Sequence, residues 1–507
     1  MSSPAAPDAL AAAAERYAGA LPPGAVVEVD VTPYDRTGVP TAAATWRSAG
    51  DPRRDGHGVG YGTSALAARV GALGELAEHA LPLEPDRRPE PVTGSYAELV
   101  RRRGADRVAD PRSLVLPAGS DADPRHPLLE RPLLWLPMTR WSTGEEVLVP
   151  AEVAAPSGAA GGAPPSGAWL TTPISNGMGA GETLERALGH ALGELVQRDG
   201  DTVDFRALDT GVVVDEAGIT DPATLALLER LRGLGIDPVV KLDSTELAVV
   251  VHVAGRDDRA GGAAVPGIAV SAVGEAAHPD REEAVRKAVL EFCSSRARRA
   301  FAFGPLEEVR RRDPEHLAAE LAVPLPEQEA RALEEMTAWT ARTGPDLAQL
   351  LAPALLGRRT SVPFTDLPTS PRAAWETPQA LLETWLERLR GFDVLSLAWT
   401  RTTPDGAPVH AVKAVVPGLE VETLSYLRIG ERVLRRLLDR GSDLVGLGAP
   451  TTADQLPVVL TPEATERVGG PAWLDRAAVE RTVGELYPLY REPTRHAPQR
   501  LAAGLGG

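Results

Sequence analysis

Apolar residues recur along the chain with two different periods, and each period predicts a different kind of element. Helical spacing predicts helices over 8–20, 64–81, 183–199, 225–234 and 281–301. Short apolar runs bounded by turn residues predict strands over 26–31, 133–136, 147–149, 239–242, 248–253, 267–273, 394–401 and 409–416. Residues 304–380 are mainly polar with helical spacing. Strands that alternate with one recurrent type of helix predict a single mixed α/β domain.

The two ends of the chain and one internal segment differ from this pattern. We expect an N-terminal appendage of one helix and one strand over 1–45, a large mixed α/β domain over 46–460 and a helical C-terminal extension over 461–507. Residues 155–168 are rich in Gly, Ala and Pro. Such low-complexity composition predicts a flexible surface loop within the large domain.

Three of the predicted helices share one arrangement of side chains. In each of them, four positions recur at intervals of three, four and three residues, which places all four on one face of an α-helix. Each face carries a small residue and, two turns later, a glutamate. The three sets are Ala68, Gly71, Glu75 and Glu78; Ala187, His190, Glu194 and Gln197; and Ala284, Lys287, Glu291 and Ser294.

Basic residues lie beside two of these acidic faces: Arg198 in the second helix, and Arg286, Lys287 and Arg296 in the third. Such a combination suits a Mg²⁺–nucleotide complex, because carboxylates ligate the hard cation and guanidinium groups pair with phosphate. A single glutamate on a helix belongs more often to a solvated surface. Three helices with the same plan favour a binding site without identifying it.

The charged residues of the chain exclude some kinds of binding site and some kinds of partner. The 507 residues carry a net charge of −17, with an isoelectric point near 5.1, which argues against nucleic-acid binding. Only three of the 53 basic residues are lysines, Lys241, Lys287 and Lys413, and none of them follows a glycine. A Walker A loop, which requires Gly-Lys-Ser/Thr, is therefore excluded.

The number of cysteines and the hydropathy of the chain indicate the cellular compartment in which we expect the protein. Cys293 is the sole cysteine, which excludes a disulfide framework and a multi-cysteine metal site and predicts a small buried side chain. The sequence shows neither a signal peptide nor an apolar stretch of the ~18–20 residues needed to span a bilayer. We expect a cytoplasmic protein without a membrane partner.

A glycine-rich run precedes the second of the three helices. Residues 177–182 read G-M-G-A-G-E, which lacks the last glycine of a dinucleotide-binding fingerprint. We expect these glycines to let backbone amides approach an anion at the start of the helix.

The same region carries the most specific motif in the sequence. Residues 174–187 read I-S-N-G-M-G-A-G-E-T-L-E-R-A, and residues 192–199 read L-G-E-L-V-Q-R-D. Before them lies the first helix, with Glu75 and Glu78, and after them come the third helix, with Glu291 and Arg296, and V-P-G-L-E at 416–420. In this order, the segments from about residue 60 to residue 420 resemble the YcaO family.

The resemblance implies an α/β fold with an ATP site that has no P-loop. Members use ATP and Mg²⁺ to activate a backbone amide of a ribosomally made precursor peptide by O-phosphorylation. The best-known reaction is cyclodehydration, which turns Cys, Ser or Thr into azolines, and relatives form thioamides or amidines. We also expect a partner protein that binds the leader of the peptide, and homodimerisation is left open.

The resemblance also implies which residues form the site. Five glutamates are expected to hold Mg²⁺: Glu75, Glu78, Glu182, Glu194 and Glu291. ATP is expected to contact Ser175, Asn176, Arg198, Arg286, Lys287 and Arg296. No side chain is assigned a catalytic role of its own, because the nucleophile comes from the substrate.

Five positions depart from the family pattern. Glu182 stands where Asn is usual, Arg186 and Gln197 replace glutamates, His79 replaces an arginine and Ser294 replaces a glutamine. Since the affinity of a hard cation follows its number of anionic oxygen ligands, Arg186 and Gln197 are expected to weaken the metal site. These departures motivate a second hypothesis, a catalytically degenerate member that serves as a scaffold or binding subunit.

Overall fold

The computed structural model describes residues 7–505 except 52–53, 85–86, 88, 123–126, 157, 161–164, 166–168, 258, 262–264 and 422–423. Its helices are α1 Pro7–Ala20, α2 Ala65–Ala80, α3 Tyr96–Arg103, α4 Ala151–Ala154, α5 Leu184–Asp201, α6 Pro222–Gly233, α7 Arg281–Phe303, α8 Leu306–Arg312, α9 Pro314–Leu321, α10 Ala330–Ala341, α11 Gly344–Leu355, α12 Pro378–Arg388, α13 Glu431–Asp439, α14 Pro462–Val468, α15 Arg476–Val483 and α16 Ala497–Ala502.

The strands are β1 Gly24–Asp30, β2 Thr41–Ser48, β3 Asp55–Tyr61, β4 Val92–Gly94, β5 Leu133–Arg140, β6 Glu146–Pro150, β7 Met178–Gly181, β8 Val212–Asp215, β9 Ile236–Ser244, β10 Val249–Asp257, β11 Gly274–His278, β12 Thr360–Pro363, β13 Leu395–Thr402, β14 Pro408–Val415, β15 Val445–Leu447, β16 Gln455–Pro457 and β17 Ala472–Asp475. Over the described residues they form four sheets, ordered β1-β2-β3, β11-β10-β9-β8-β12, β4-β5-β13-β14-β7 with β6 beside β5, and β15-β17-β16. The predicted mixed α/β fold is confirmed.

Most of the individually predicted elements are present in the structure. The strands β13 and β14 form the expected antiparallel pair, with Leu395 opposite Val415, and Cys293 is fully buried, as predicted. The strand predicted over 267–273 is wrong. Residues Gly267–Ser271 form a 3₁₀ helix, and the next strand begins only at Gly274. Its apolar residues Ile268 and Val270 are buried without being in a sheet, so burial alone accounts for the apolar run.

The hydrophobic pattern does not predict several of the strands, because these strands consist mainly of small residues. The sequence of β3 is D-G-H-G-V-G-Y, and that of β7 is M-G-A-G. Glycine is depleted in strands generally, so neither segment looks like a strand. The G-M-G-A-G-E run is therefore mostly strand β7, and its glycines also have a role in packing against α5.

Three strand–helix units are built alike: β3 with α2, β7 with α5, and β11 with α7. In each unit, a strand glycine lies against the backbone of its helix. A Cβ atom would come within 2.1 Å of a helix carbonyl oxygen at Gly60, and within 2.2 Å at Gly179 and at Gly274. Since no side chain fits at these points, glycine is the residue that lets each helix lie directly on its strand.

The three units close into a ring. Helix α2 also contacts β7, α5 contacts β11, and α7 contacts β3. The side chains of Ser64, Thr183 and Asp280 cap the first turns of α2, α5 and α7 by accepting hydrogen bonds from backbone N–H groups. Each helix is thus fixed at its start by a cap and along its length by two strands, which orients its polar face.

The ends of the chain are joined to the large domain through shared elements. Helix α1 packs on α2, and β2, which crosses the boundary expected at residue 45, pairs with both β1 and β3. At the other end, β17 lies beyond residue 460 but pairs with β15 and β16 before it. The sheets therefore continue across both expected boundaries.

Much of the flexible loop predicted over 155–168 lies outside the described residues. Of its described residues, Ala155, Ala159 and Ala160 are buried in the apolar core around α2. Within the described part of the chain, no helix is both long and apolar enough to cross a membrane.

We expect Gly179→Ala to destabilise the protein by about 1–3 kcal/mol or more, because its methyl group overlaps the backbone of α5 and forces the helix off β7. The free energy of unfolding in urea measures this change. Gly50→Ala is the matched control, since a Cβ there has no neighbour within 4 Å. Equal stability of the two variants would show that glycine is not required at the contact between strand and helix.

Candidate functional site

The polar faces of α2, α5 and α7 meet inside the ring and bring four glutamates to one cleft. Helix α2 supplies Glu75 and Glu78, α5 supplies Glu194, and α7 supplies Glu291. The charge of Glu194 acts on the carboxyl groups of both Glu75 and Glu78, and Tyr61 experiences the charges of Glu291 and Glu75. The acidic face predicted for each helix therefore contributes to one acidic cleft.

Hydrogen bonds from neighbouring strands and loops hold three of these carboxylates. The N–H of Val59 donates to Glu75 Oε2 at 2.8 Å, and the N–H of Gly177 donates to Glu194 Oε2 at 3.0 Å. The hydroxyl of Tyr61, at the end of β3, donates to Glu291 Oε2 at 3.0 Å. Strand β3 thus anchors glutamates on two different helices.

Burial and mutual repulsion favour protonation of these carboxyl groups. Burial raises the pKa of Glu75 to about 7, although the N–H of Val59 opposes the shift. Burial likewise raises the pKa of Glu291 to about 7, and it raises the pKa of Glu194. Burial, together with the charges of Glu75 and Glu194, holds the pKa of Glu78 well above its usual value. A site of this kind is stabilised by a cation.

Basic groups border the acidic cleft. A guanidinium nitrogen of Arg198 lies 3.0 Å from Glu275 of β11, and another lies 3.9 Å from Glu194. The positive charge of Lys287 acts on Glu291, and burial lowers the pKa of Lys287 itself. The charges of Arg198 and Lys287 thus act on Glu194 and Glu291, respectively.

The donor set suits Mg²⁺ rather than a transition metal, because it consists of carboxylate oxygens. Among the described residues, no three Asp, Glu, His or Cys side chains are close enough to hold a metal ion by themselves. Mg²⁺ commonly takes only one or two carboxylates and completes its shell with water and substrate phosphates. A cleft lined by several carboxylates fits that mode of binding.

Two of the predicted site residues have other partners. Arg296 is fully buried, and a guanidinium nitrogen lies 3.0 Å from a carboxylate oxygen of Asp35 and 2.6 Å from one of Asp257. Its guanidinium group therefore neutralises two buried carboxylates in the core of the domain. Glu182, predicted as a metal ligand, pairs with Arg16 of α1. The structure does not bring Arg296 into the acidic cleft.

The remaining residues that were predicted to contact ATP differ in their exposure to solvent. Arg286 pairs with Glu283 one turn earlier on α7. Ser175 is exposed, whereas Asn176 is buried, with 7% of its surface accessible. Ser175 and Asn176 lie on the segment that leads to Gly177, whose N–H binds Glu194.

The positions that depart from the family pattern differ in burial and in partners. Gln197 is half-buried on α5, and Ser294 is buried on α7. Burial lowers the pKa of His79 to about 4, so this residue does not replace the charge of an arginine. Arg186 is exposed and interacts with Tyr17 of α1.

The structure adds residues that sequence reasoning missed. Arg298 continues the face of α7 seven residues after Glu291, a spacing that could have revealed it, and pairs with Glu492 at 3.0 Å. Tyr61 and Glu275 lie on glycine-containing strands that the apolar pattern did not predict, so no sequence signal pointed to them.

A comparison with protein families assigns the fold that carries this cleft. A family model described as YcaO cyclodehydratase, ATP- and Mg²⁺-binding, matches residues 59–420. This chain belongs to the YcaO family. The match runs from β3 through α7 and on to the V-P-G-L-E segment, and it confirms ATP and Mg²⁺ as the expected cofactors of the domain.

Individual proteins resemble this chain over different shares of its length. An uncharacterized protein of Methanothermobacter thermautotrophicus is 28% identical over 270 residues, which cover 53% of this chain and 64% of that relative. A heterocyclase solved in complex with substrate and cofactor has a TM-score of 0.59 at 19% identity, covering 82% of this chain and 52% of that one. A YcaO protein from Methanopyrus kandleri, bound with AMPPCP and Mg²⁺, has a TM-score of 0.49 at 18% identity, covering 81% and 89%. The chain thus spans less than two thirds of the first two relatives.

We expect Arg296→Gln to lower the free energy of unfolding by about 3–5 kcal/mol, because it leaves the carboxylates of Asp35 and Asp257 buried without their cation. Urea denaturation followed by circular dichroism measures the loss. Arg435→Gln, at an exposed position of α13, is the control and should change stability by less than about 0.5 kcal/mol. A variant of normal stability that binds ATP tenfold more weakly would instead place Arg296 at the nucleotide.

We expect Glu75→Gln to stabilise the protein free of Mg²⁺ and nucleotide at pH 8 by about 1–3 kcal/mol. The folded-state pKa of Glu75 is raised to about 7 from 4.5, so wild-type stability falls as the pH rises between these values. The gain should therefore shrink towards pH 5, as measured by urea denaturation across the pH range. Glu334→Gln, an exposed change on α10, should show no such trend. A pH-independent effect of Glu75→Gln would mean that the folded structure does not raise the pKa of this carboxyl group.

Proposed function

We propose that this protein uses ATP to phosphorylate the oxygen of a peptide backbone amide, and that the product is an azoline formed from Cys, Ser or Thr in a ribosomally made precursor peptide. The observation that carries the proposal is the convergence of Glu75, Glu78, Glu194 and Glu291 on one cleft bordered by Arg198 and Lys287, in a chain of the YcaO family.

The proposed reaction balances without a nucleophile from the protein. The substrate thiol or hydroxyl adds to the amide carbon, and the amide oxygen forms a bond to the γ-phosphorus of ATP as the bond to ADP breaks. The carbon–oxygen bond then breaks, phosphate leaves, and loss of the protons from nitrogen and from the attacking group gives the C=N bond. Phosphorylation is required because oxide is a poor leaving group and phosphate is a good one.

The residues of the cleft have distinct parts in this proposal. The glutamates hold Mg²⁺, which neutralises charge on the phosphate groups. Arg198, oriented by Glu275 at 3.0 Å, and Lys287 pair with phosphate oxygens. The hydrogen bonds from Val59, Gly177 and Tyr61 fix the carboxylates in place before the substrates bind.

The peptide and its partner protein belong to the same proposal. We infer that a separate protein binds the leader of the precursor peptide and delivers its core to the cleft. The description of the matching family model as a cyclodehydratase supports a role in removing water from such a substrate. A nucleophile other than the substrate side chain would give a thioamide or amidine at the same site.

Two observations favour a second candidate, a catalytically degenerate scaffold. Glu182 pairs with Arg16, which occupies one predicted metal ligand. Gln197 and Arg186 also stand where carboxylates are usual. In this reading the cleft binds nucleotide weakly, and the protein acts by holding a partner.

We expect the purified protein, incubated with precursor peptide, leader-binding partner and Mg²⁺–ATP, to remove one water per modified residue and to release ADP and phosphate. Mass spectrometry and a phosphate assay measure both products. Glu194→Gln should reduce the rate at least 100-fold, because it removes a carboxylate from the metal site. Glu185→Gln, on the opposite face of α5, is the matched control and should retain the wild-type rate.

The same experiment separates the alternatives. Exchange of oxygen for sulfur, which raises the peptide mass, would indicate thioamide formation. Unchanged peptide mass without ATP consumption would contradict the enzyme proposal. If Glu75→Ala then preserved the biological function, the scaffold would be the better explanation.

A further inference from the structure

The reaction proposed above gives no part to a buried carboxyl group that lies beside Arg198. This group belongs to Asp201, the last residue of α5, whose side chain is 1% exposed. A guanidinium nitrogen of Arg198 lies 3.0 Å from Glu275 Oε2 but 3.9 Å from Asp201 Oδ2, which is beyond hydrogen-bond distance. Among the described residues, neither oxygen of Asp201 accepts a hydrogen bond from a donor group. A buried carboxylate without donors is costly, so its ionised form is disfavoured.

The neighbour of Asp201 is a second carboxyl group. The side chains of Asp201 and Glu275, on β11, are hydrogen-bonded to each other. Two carboxyl groups form such a bond only when one of them carries a proton, because an ionised carboxylate has no hydrogen to donate. The resulting O–H to carboxylate contact belongs to the strong, charge-assisted hydrogen bonds. The pair therefore holds one proton and one negative charge.

The surrounding groups place the negative charge on Glu275 and the proton on Asp201. Arg198 lies 3.0 Å from one oxygen of Glu275, and Arg206 lies 3.8 Å from the other. Burial opposes ionisation of Glu275, but the charges of Arg198 and Arg206 lower its pKa overall. Burial and the charge of Glu275 hold the pKa of Asp201 well above its usual value. His252 of β10, opposite Glu275 in the sheet, is neutral because burial lowers its pKa to about 4.

We infer that Asp201 is a positioning residue for Arg198 and that it acts in its protonated form. Its O–H donates to Glu275 and fixes the carboxylate that orients the guanidinium group of Arg198. This inference rests on the proposed function, since it assumes that Arg198 pairs with a phosphate group of ATP.

The proton on Asp201 also sets the charge beside the phosphate groups. If both carboxyl groups were ionised, two negative charges would lie next to Arg198 and would repel the nucleotide. With one proton in the pair, Glu275 alone is ionised. A guanidinium group has five N–H donors in one plane, so it can bind a carboxylate and a phosphate together. Asp201 thus helps to orient Arg198 without adding a charge that opposes ATP.

The affinity of the full-length protein for a non-hydrolysable ATP analogue with Mg²⁺ tests this role, as measured by isothermal titration calorimetry. Asp201→Ala should weaken binding at least about fivefold, as expected for the loss of one hydrogen bond to a charged group. Asp201→Asn should bind within about twofold of the wild type, because its amide group still donates to Glu275. Asp204→Ala is the control and should bind as the wild type does, since Asp204 pairs with Arg440 at 2.7 Å.

Infrared spectroscopy distinguishes a protonated carboxyl group from a side chain that only fills space. At pH 7 and without nucleotide, the difference spectrum between the wild type and Asp201→Asn should contain the C=O stretch of a protonated carboxyl group, which an ionised carboxylate lacks. Thermal denaturation shows whether each variant is folded. If Asp201→Ala does not fold, the infrared comparison of the wild type with Asp201→Asn decides the inference.

Three results would overturn the inference about Asp201. These are equal binding of the analogue by Asp201→Ala and the wild type, an equal loss of affinity in Asp201→Asn and Asp201→Ala, or a difference spectrum without the band of a protonated carboxyl group.

The wild type and Arg198→Gln separate this inference from the proposed function. A wild type that does not bind the analogue, or an Arg198→Gln variant that binds it equally well, contradicts the proposed function and with it the role of Asp201. If the wild type binds the analogue and Arg198→Gln binds it more weakly, while Asp201→Ala binds as the wild type does, only the inference about Asp201 is contradicted.

Discussion

Backbone lies against backbone at the glycines of β3, β7 and β11, where the three helices of the ring rest on their strands without an intervening side chain. A carboxylate on a helix surface is useful only if its helix is held at a fixed depth and rotation. The contact at glycine sets the depth, and the N-terminal cap sets the start of the helix. Everything that distinguishes the cleft, from the position of Glu75 to that of Glu291, depends on these three contacts.

The same geometry creates an electrostatic cost. Helices that lie so close to their strands exclude water from the carboxyl groups between them, and burial raises the pKa of Glu75 and Glu291 to about 7. The protein tolerates this cost because strands β3 and β11 supply compensating groups. The hydroxyl of Tyr61 and the N–H of Val59 donate to carboxylates, and Glu275 holds Arg198 at the edge of the cleft.

The sequence predicted the acidic faces because their side chains recur at helical spacing. Glu75, Glu194 and Glu291 recur at the same place in three patterned helices, and the structure brings them together. The mixed α/β class and the β13–β14 pair also followed from apolar periodicity. A basic residue on one of these three helices is not thereby a ligand of ATP, however. Arg296 lies on α7, but it is enclosed by Asp35 and Asp257, which come from distant parts of the chain.

Other parts of the site depend on contacts that no local pattern encodes. Strands β3 and β7 are rich in glycine because helices rest on them, and the absence of large apolar residues hid both strands from a reading of hydropathy. Tyr61 was missed for the same reason. Asp201 and Glu275 come from α5 and β11, so the hydrogen bond between them becomes visible only when the chain is folded.

The ion pair between Arg298 and Glu492 has a consequence for the limits of the functional unit. The family match ends at residue 420, yet Glu492 neutralises an arginine whose charge also acts on Glu75 and Glu291. A fragment cut at the end of the family match would leave Arg298 without this partner and would alter the electrostatic potential of the cleft. The residues that set the charge of the cleft therefore extend past the region that the family match defines.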